Sequence, residues 1–161
     1  MFTLLPERPD EIQRFRAEPW PFQKTFKTPL KDLNRFVSTF VAPLSLTRGT
    51  LSTDQVVFEP KELLHLLANN SLSVEDYYHL TIQAAGQQEI GDLLQAALGD
   101  WVDFVFVPLP EVLAIYADHD EYSTFYTHDD ATMKNVALSL ETAGFENVLS
   151  YTRGYSGDRW R

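Results

Sequence analysis

Residues 101–130, WVDFVFVPLPEVLAIYADHDEYSTFYTHDD, constrain the fold more than any other stretch, because they hold the densest run of strand-forming residues and no basic one. From Val102 to Val107 the chain is apolar on both faces, with Val102, Phe104 and Phe106 on one side and Val105 and Val107 beside Asp103 on the other. Such a strand needs cover on both sides. Pro108 and Pro110 lack the N–H that a ladder uses, so the strand is expected to end there and the segment from Val112 to Ala117 to return beside it. A turn at Asp118, His119, Asp120 and Glu121 reverses the chain again into Tyr122 to Thr127, completing a three-stranded meander. With Ala117 opposite Tyr122 and Leu113 opposite Tyr126, His119 stands at the tip and His128 near the base. At about 3.3 Å per residue they are roughly 20 Å apart, too far to share one metal ion.

Helices are expected around this sheet. Pro9 suits a first helical turn, with Asp10 and Glu11 at the positive end of its dipole, and Glu18 to Phe22 reads as extended. Thr28 and Pro29 read as cap and first turn of a helix whose Leu30, Leu33, Phe36, Val37, Phe40 and Val41 share a stripe. Gly49 reads as punctuation and Val56 to Phe58 as a short strand, followed by a helix from Pro60 to Asn69. A third helix, capped by Ser73, is expected to bury Val74, Tyr77, Tyr78, Thr81, Ile82 and Ala85, and a fourth to run from about residue 87 to 98. Asp129 or Asp130 caps a last helix with Met133, Val136, Ala137 and Leu140 inward. Gly144 and Phe145 end it in a Schellman turn, and Asn147 to Tyr151 form a final strand.

The expectation is an α+β fold: an antiparallel meander sheet of about four strands packed against several helices, with a helical N-terminal half. The 161 residues read as one domain, 1–161, ending in a basic aromatic tail at 152–161. With 44% hydrophobic and 13% aromatic residues, the core should be rich in rings.

Charge is segregated. Residues 1–48 carry eight Lys/Arg against five Asp/Glu, residues 49–150 carry two against seventeen, and the last eleven carry three Arg and one Asp. A body this acidic repels nucleic acid and anionic lipid and speeds encounter with cationic surfaces. Lys24, Lys27, Lys31 and Arg35 are the one concentrated basic patch in the first half. The absence of cysteine removes disulfides, thiol chemistry and thiolate zinc sites. The start, MFTLLPERPDE, has no basic leader, and no apolar run approaches the roughly 18 residues of a membrane span, so a soluble cytoplasmic protein is expected.

No nucleophile-elbow, zinc-protease, P-loop or dinucleotide motif occurs, and no catalytic residue or cofactor is assigned. Two weaker patterns bear on metals. Glu62-x-x-His65 and Asp76-x-x-His79 have the spacing of di-iron bundles, but both pairs sit opposite the apolar stripes of their expected helices. Asp118, Asp120 and Glu121 offer oxygens to Ca²⁺ or Mg²⁺ but lack the glycine and distal glutamate of an EF-hand loop.

Recognition is the favoured function. Tyr116, Asp118, His119, Asp120, Glu121, Tyr122, Tyr126, Asp129 and Asp130 combine aromatic area with carboxylates that no neighbouring Lys or Arg neutralises. The chain therefore reads as a non-enzymatic acidic module for a basic protein partner, most concretely an inhibitor or immunity-type protein that neutralises a nuclease-like toxin or enzyme. The alternatives are a metal-binding or hydrolase-like domain using the Asp/His clusters, and an obligate subunit of a homodimer or larger homo-oligomer.

Overall fold

The computed structural model describes residues 1–6 and 9–151. Among these residues seven strands form one antiparallel sheet: β1 (Thr3–Leu5), β2 (Phe22–Lys27), β3 (Arg48–Gln55), β4 (Thr81–Ala85), β5 (Asp103–Leu109), β6 (Ala114–Ala117) and β7 (Tyr122–Thr127). Their order across the sheet is β1-β4-β3-β5-β6-β7-β2. Five helices accompany it: α1 (Pro9–Ala17), α2 (Leu33–Val41), α3 (Lys61–Asn69), α4 (Gly86–Gly99) and α5 (Asp130–Thr142). No described helix is long and apolar enough to cross a membrane.

The expected meander is present and its central strand is covered twice. Phe104 and Phe106 face the larger core, under α2, α3, α4 and α5, where Phe125 meets Phe26 and Phe40 edge to face. Val105 and Val107 face a smaller cluster under α1, made of Ile12, Phe15, Ala114, Tyr116, Tyr126 and Trp20. The register is shifted by one residue from expectation: Ala117 pairs with Ser123, and Ala114 with Tyr126. β5 also runs through Pro108. The Leu109 carbonyl accepts from Thr47 N–H on the β3 side, so Pro108 turns its missing donor the other way, where β6 pairing has already ended at Phe106.

Several expectations are corrected. The sheet has seven strands rather than about four, and the N-terminal half is not helical throughout but supplies β1 to β4. In β2 the alternation is Phe22, Lys24, Phe26 against Gln23, Thr25, Lys27, and Phe26 is fully buried opposite Ser123. The period-2 alternation puts Lys24 and Lys27 of the basic patch on a strand. Thr28 is no cap: its hydroxyl is hydrogen-bonded to Ser123 Oγ at 2.7 Å, and the helix begins after Asp32. Gly49 lies inside β3, because the Phe106 ring occupies the space where a side chain would go; a Cβ there would stand 2.2 Å from Phe106 Cζ.

The expected third helix divides. Residues 73–80 form a connecting loop, and Thr81–Ala85 is a strand whose Ile82 packs between Leu4 and Leu51. Residues 56–58 are not a strand. The last helix behaves as expected: Asp129 caps it by accepting from Thr132 N–H, and Met133, Val136, Ala137 and Leu140 are buried. Gly144 at φ 91 closes it, with Phe145 N–H donating to Leu140 O and Gly144 N–H to Glu141 O. The expected strand over 147–151 reduces to one bridge, Asn147 with Phe26, beside which Val148 N–H donates to Thr25 O along the outer edge of β2. The tail 152–161 lies outside the described residues.

Candidate functional site

Strand direction gathers the acidic connections at one end of the sheet. β3 leaves there at Gln55, β5 enters at Asp103, β6 leaves at Ala117, and β4 and β7 enter at Thr81 and Tyr122. The loops at 56–60, 70–80, 100–102 and 118–121 are therefore neighbours, although far apart in sequence.

The turn is built by two buried carboxylates. Asp118 accepts from the N–H groups of Asp120 at 2.9 Å and Tyr122 at 3.2 Å, and from the Tyr151 hydroxyl at 3.3 Å. Glu121 takes φ 68, the left-handed conformation that closes the turn. Asp103, only 5% exposed, accepts through one oxygen from both His119 N–H at 2.7 Å and His119 Nδ1 at 2.8 Å. This hydrogen bond raises the His119 pKa above 6.5, against a smaller opposing effect of its own burial. Burial raises the Asp103 pKa above its ordinary 3.8, outweighing the bonds from His119. Tyr122 stacks on Tyr151 at 4.4 Å.

Two more acids at this end are structural. Asp100, at the C-terminus of α4, accepts from Glu62 and Leu63 N–H and so caps α3 from a neighbouring helix. Asp54 receives Arg16 at 2.6 Å and the Tyr116 hydroxyl. Glu59, Glu62, Glu75, Asp120 and Glu121 remain on the surface with no Lys or Arg in ion-pair contact among the described residues. Lys24, Lys27 and Lys31 likewise make no ion pair with the turn among the described residues; Arg35 pairs with Asp32.

Beside these carboxylates lies an aromatic patch that the sequence pattern does not disclose. Phe58, 51% exposed, meets Trp101, 38% exposed, edge to face at 5.3 Å. Tyr77 and Tyr78 pack at 4.7 Å, and Tyr78 is 53% exposed. The Tyr78 carbonyl accepts from Thr53 Oγ1 near the end of β3, and the charge of Glu59 reaches Tyr77. The Tyr77 pKa is raised first by its hydrogen bond with Tyr78, with burial and charge adding to it. The helical reading of 73–85 placed both tyrosines in the core, which hid the patch. The one local signal was LGDW at 98–101, where Trp follows a helix end at φ 58, a position that normally takes Gly.

The nine residues singled out from sequence do not form one surface. Asp118, His119, Asp120, Glu121 and Tyr122 cluster at the turn. Tyr116 and Tyr126 are buried beneath α1, each 1% exposed. Asp129 and Asp130 follow β7 at the opposite end of the sheet, where Asp129 caps α5 and Asp130 pairs with Lys134 at 2.9 Å. That opposite end holds a shallow cleft of about 210 Å³ lined by Glu11, Arg14, Glu18, Trp20, Glu111 and His128, in which His128 pairs with Glu18 at 2.9 Å. His119 and His128 lie at opposite ends, as the hairpin reading expected. Glu62 and His65 are exposed on α3, while Asp76 and His79 lie in a loop rather than a helix. Among the described residues no three His, Asp or Glu side chains are gathered to hold a metal ion.

No family model matches the chain, and no curated protein or solved structure is significantly similar to it.

Proposed function

We propose that the protein is a non-catalytic acidic binding module whose hairpin end receives a basic protein, as an inhibitor or immunity-type protein does when it covers the cationic active site of a nuclease-like toxin or enzyme. The observation that carries this reading is the set of surface carboxylates at that end, Glu59, Glu75, Asp120 and Glu121, none of which pairs with a described Lys or Arg, although His119 Nε2 stands 3.9 Å from Asp120. Uncompensated charge adds little to the fold but accelerates encounter with an opposite surface. The turn supplies rigidity, since Asp118 and Asp103 fix its backbone and leave Asp120 and Glu121 outside. A preformed loop loses little conformational entropy on binding.

The test is to isolate strongly basic partners from the source cells on the immobilised protein, then measure association kinetics with D120A/E121A. Asp118 is excluded from the variant because it holds the turn. Association is expected to slow on the order of tenfold at low salt and to lose part of its salt dependence, with dissociation nearly unchanged. Association indifferent to both the substitutions and ionic strength removes the hairpin as a steering surface.

A further inference from the structure

We infer that the aromatic patch of Phe58, Tyr78 and Trp101 is the anchoring centre of the partner-binding surface, and that its occupant is an arginine-bearing segment of a basic protein. The inference rests on the binding-module reading and goes beyond it by naming the contact and its chemistry. Phe58, Tyr78 and Trp101 are the aromatic side chains among the large hydrophobics exposed in the described residues, and aromatic residues with little side-chain entropy to lose are the usual energetic centres of interfaces.

Charge selects the occupant. Glu59, Glu75 and Asp76 lie in the loops that carry the patch, with Lys61 exposed on the adjoining first turn of α3; Asp120 and Glu121 stand on the β6–β7 turn at the same end of the sheet, where the exposed Lys27 borders Tyr122. An anionic or apolar ligand would have to approach through this rim against its field. A guanidinium satisfies both parts: its plane stacks on an indole or phenyl face while its N–H groups reach carboxylates at the edge. A lysine ammonium offers one compact charge and no stacking plane. The carboxylates then govern arrival and the rings govern residence, so substitutions in the two sets should act on different rate constants.

The experiment uses acetyl-tetraarginine amide as probe, titrated into the full ¹⁵N-labelled chain at low salt and followed by amide and indole chemical shifts. Expected is weak saturable binding centred on residues 57–59, 77–79 and 100–102, including the Trp101 indole, with the Trp20 indole at the far end unmoved. Acetyl-tetralysine amide should bind more weakly at the same place. W101A and, separately, F58A should each weaken tetraarginine about two- to fivefold, the range expected of one exposed cation–ring contact. F58A keeps the test open if W101A does not fold. Against the isolated partner, W101A should speed dissociation, whereas D120A/E121A slows association.

Shifts spread evenly over the acidic body, or centred on the Trp20–His128 cleft, overturn the anchoring centre while leaving an acidic binding module in place. Saturable binding that both W101A and F58A leave unchanged overturns it as well, as does the absence of any shift with tetraarginine. Failure of the module reading itself has a separate signature, namely partner association that ignores salt and D120A/E121A.

Discussion

Under α2 to α5 the sheet is closed by rings without a polar atom; under α1 it is closed by rings that carry one. The larger core is built on Phe26, Phe36, Phe40, Phe104, Phe106 and Phe125, packed mostly edge to face. The smaller layer uses Trp20, Tyr116 and Tyr126 around Phe15. There the Trp20 indole donates to the Phe15 carbonyl and the Tyr116 hydroxyl to Asp54, which also holds Arg16. A buried polar tip needs a partner, so the thin layer depends on direction as well as area. α1 lies alone on this face, and with Ile12 and Phe15 as its buried side chains it covers too little surface to hold by area alone. The buried Asp103 lies on this same side of β5, beside Val105 and Val107, so the thin face also anchors the turn of the candidate surface.

The sharpest way to break this contrast is to remove one ring from each layer. F125A deletes a side chain 1% exposed between Phe26 and Phe40, and should cost about 3–5 kcal/mol in chemical denaturation, with cooperativity retained. F15A deletes the ring that meets Trp20, Tyr116 and Tyr126. Its cost should be smaller, roughly 2 kcal/mol, because the loss is capped by the free energy of releasing α1 from the sheet. Hydrogen exchange distinguishes the two: F15A should expose the amides of residues 11–17 ahead of the strands, and F125A should raise exchange throughout. Equal costs with uniform exchange would make α1 an integral part of a single cooperative unit.

The same contrast governs how much could be read from the chain alone. The meander was legible because β5 is apolar on both faces and its neighbours are bounded by prolines and by an Asp-rich turn, all local signals. α5 was legible for the same reason, from its Asp129 cap to its Gly144 terminus. β1, β2 and β4 were not, since each owes its state to a distant strand: Leu4 and Leu51 flank Ile82, and Phe26 finds Ser123 across nearly a hundred residues. Residues 73–85 show the failure most clearly. Their apolar residues fit a helical stripe, yet Thr81 and Ile82 pair in the sheet while Tyr78 faces outward. Of the candidate site, the turn acids lie in one segment and were visible. The Phe58–Trp101 contact joins loops brought together only by β3 and β5 lying side by side, so no local pattern announces it.

The smallest expected effect concerns protonation at the edge of the thin face. His119 is faced by Asp103, Asp118 and Asp120, and its hydrogen bond to Asp103 raises its pKa above 6.5. A basic group with a raised folded-state pKa binds its proton more tightly in the folded chain. Its stabilisation is therefore complete below about pH 6.5 and is lost as pH rises through the higher folded value. Asp103 is raised as well, by burial, so it too favours the protonated folded state; its contribution falls away in a separate acid window that opens just above 3.8. Both groups make stability decline with rising pH, the reverse of a salt-bridged surface aspartate. H119Q removes only the upper window. The difference in unfolding free energy between wild type and H119Q should thus be larger near pH 6 than near pH 8.5, and small throughout, because the imidazole is one-third exposed and solvent screens its pairing. A difference that is flat with pH, or that grows toward alkaline pH, would show that Asp103 holds the turn through the His119 backbone N–H alone and that the imidazole adds no charge pairing to this face.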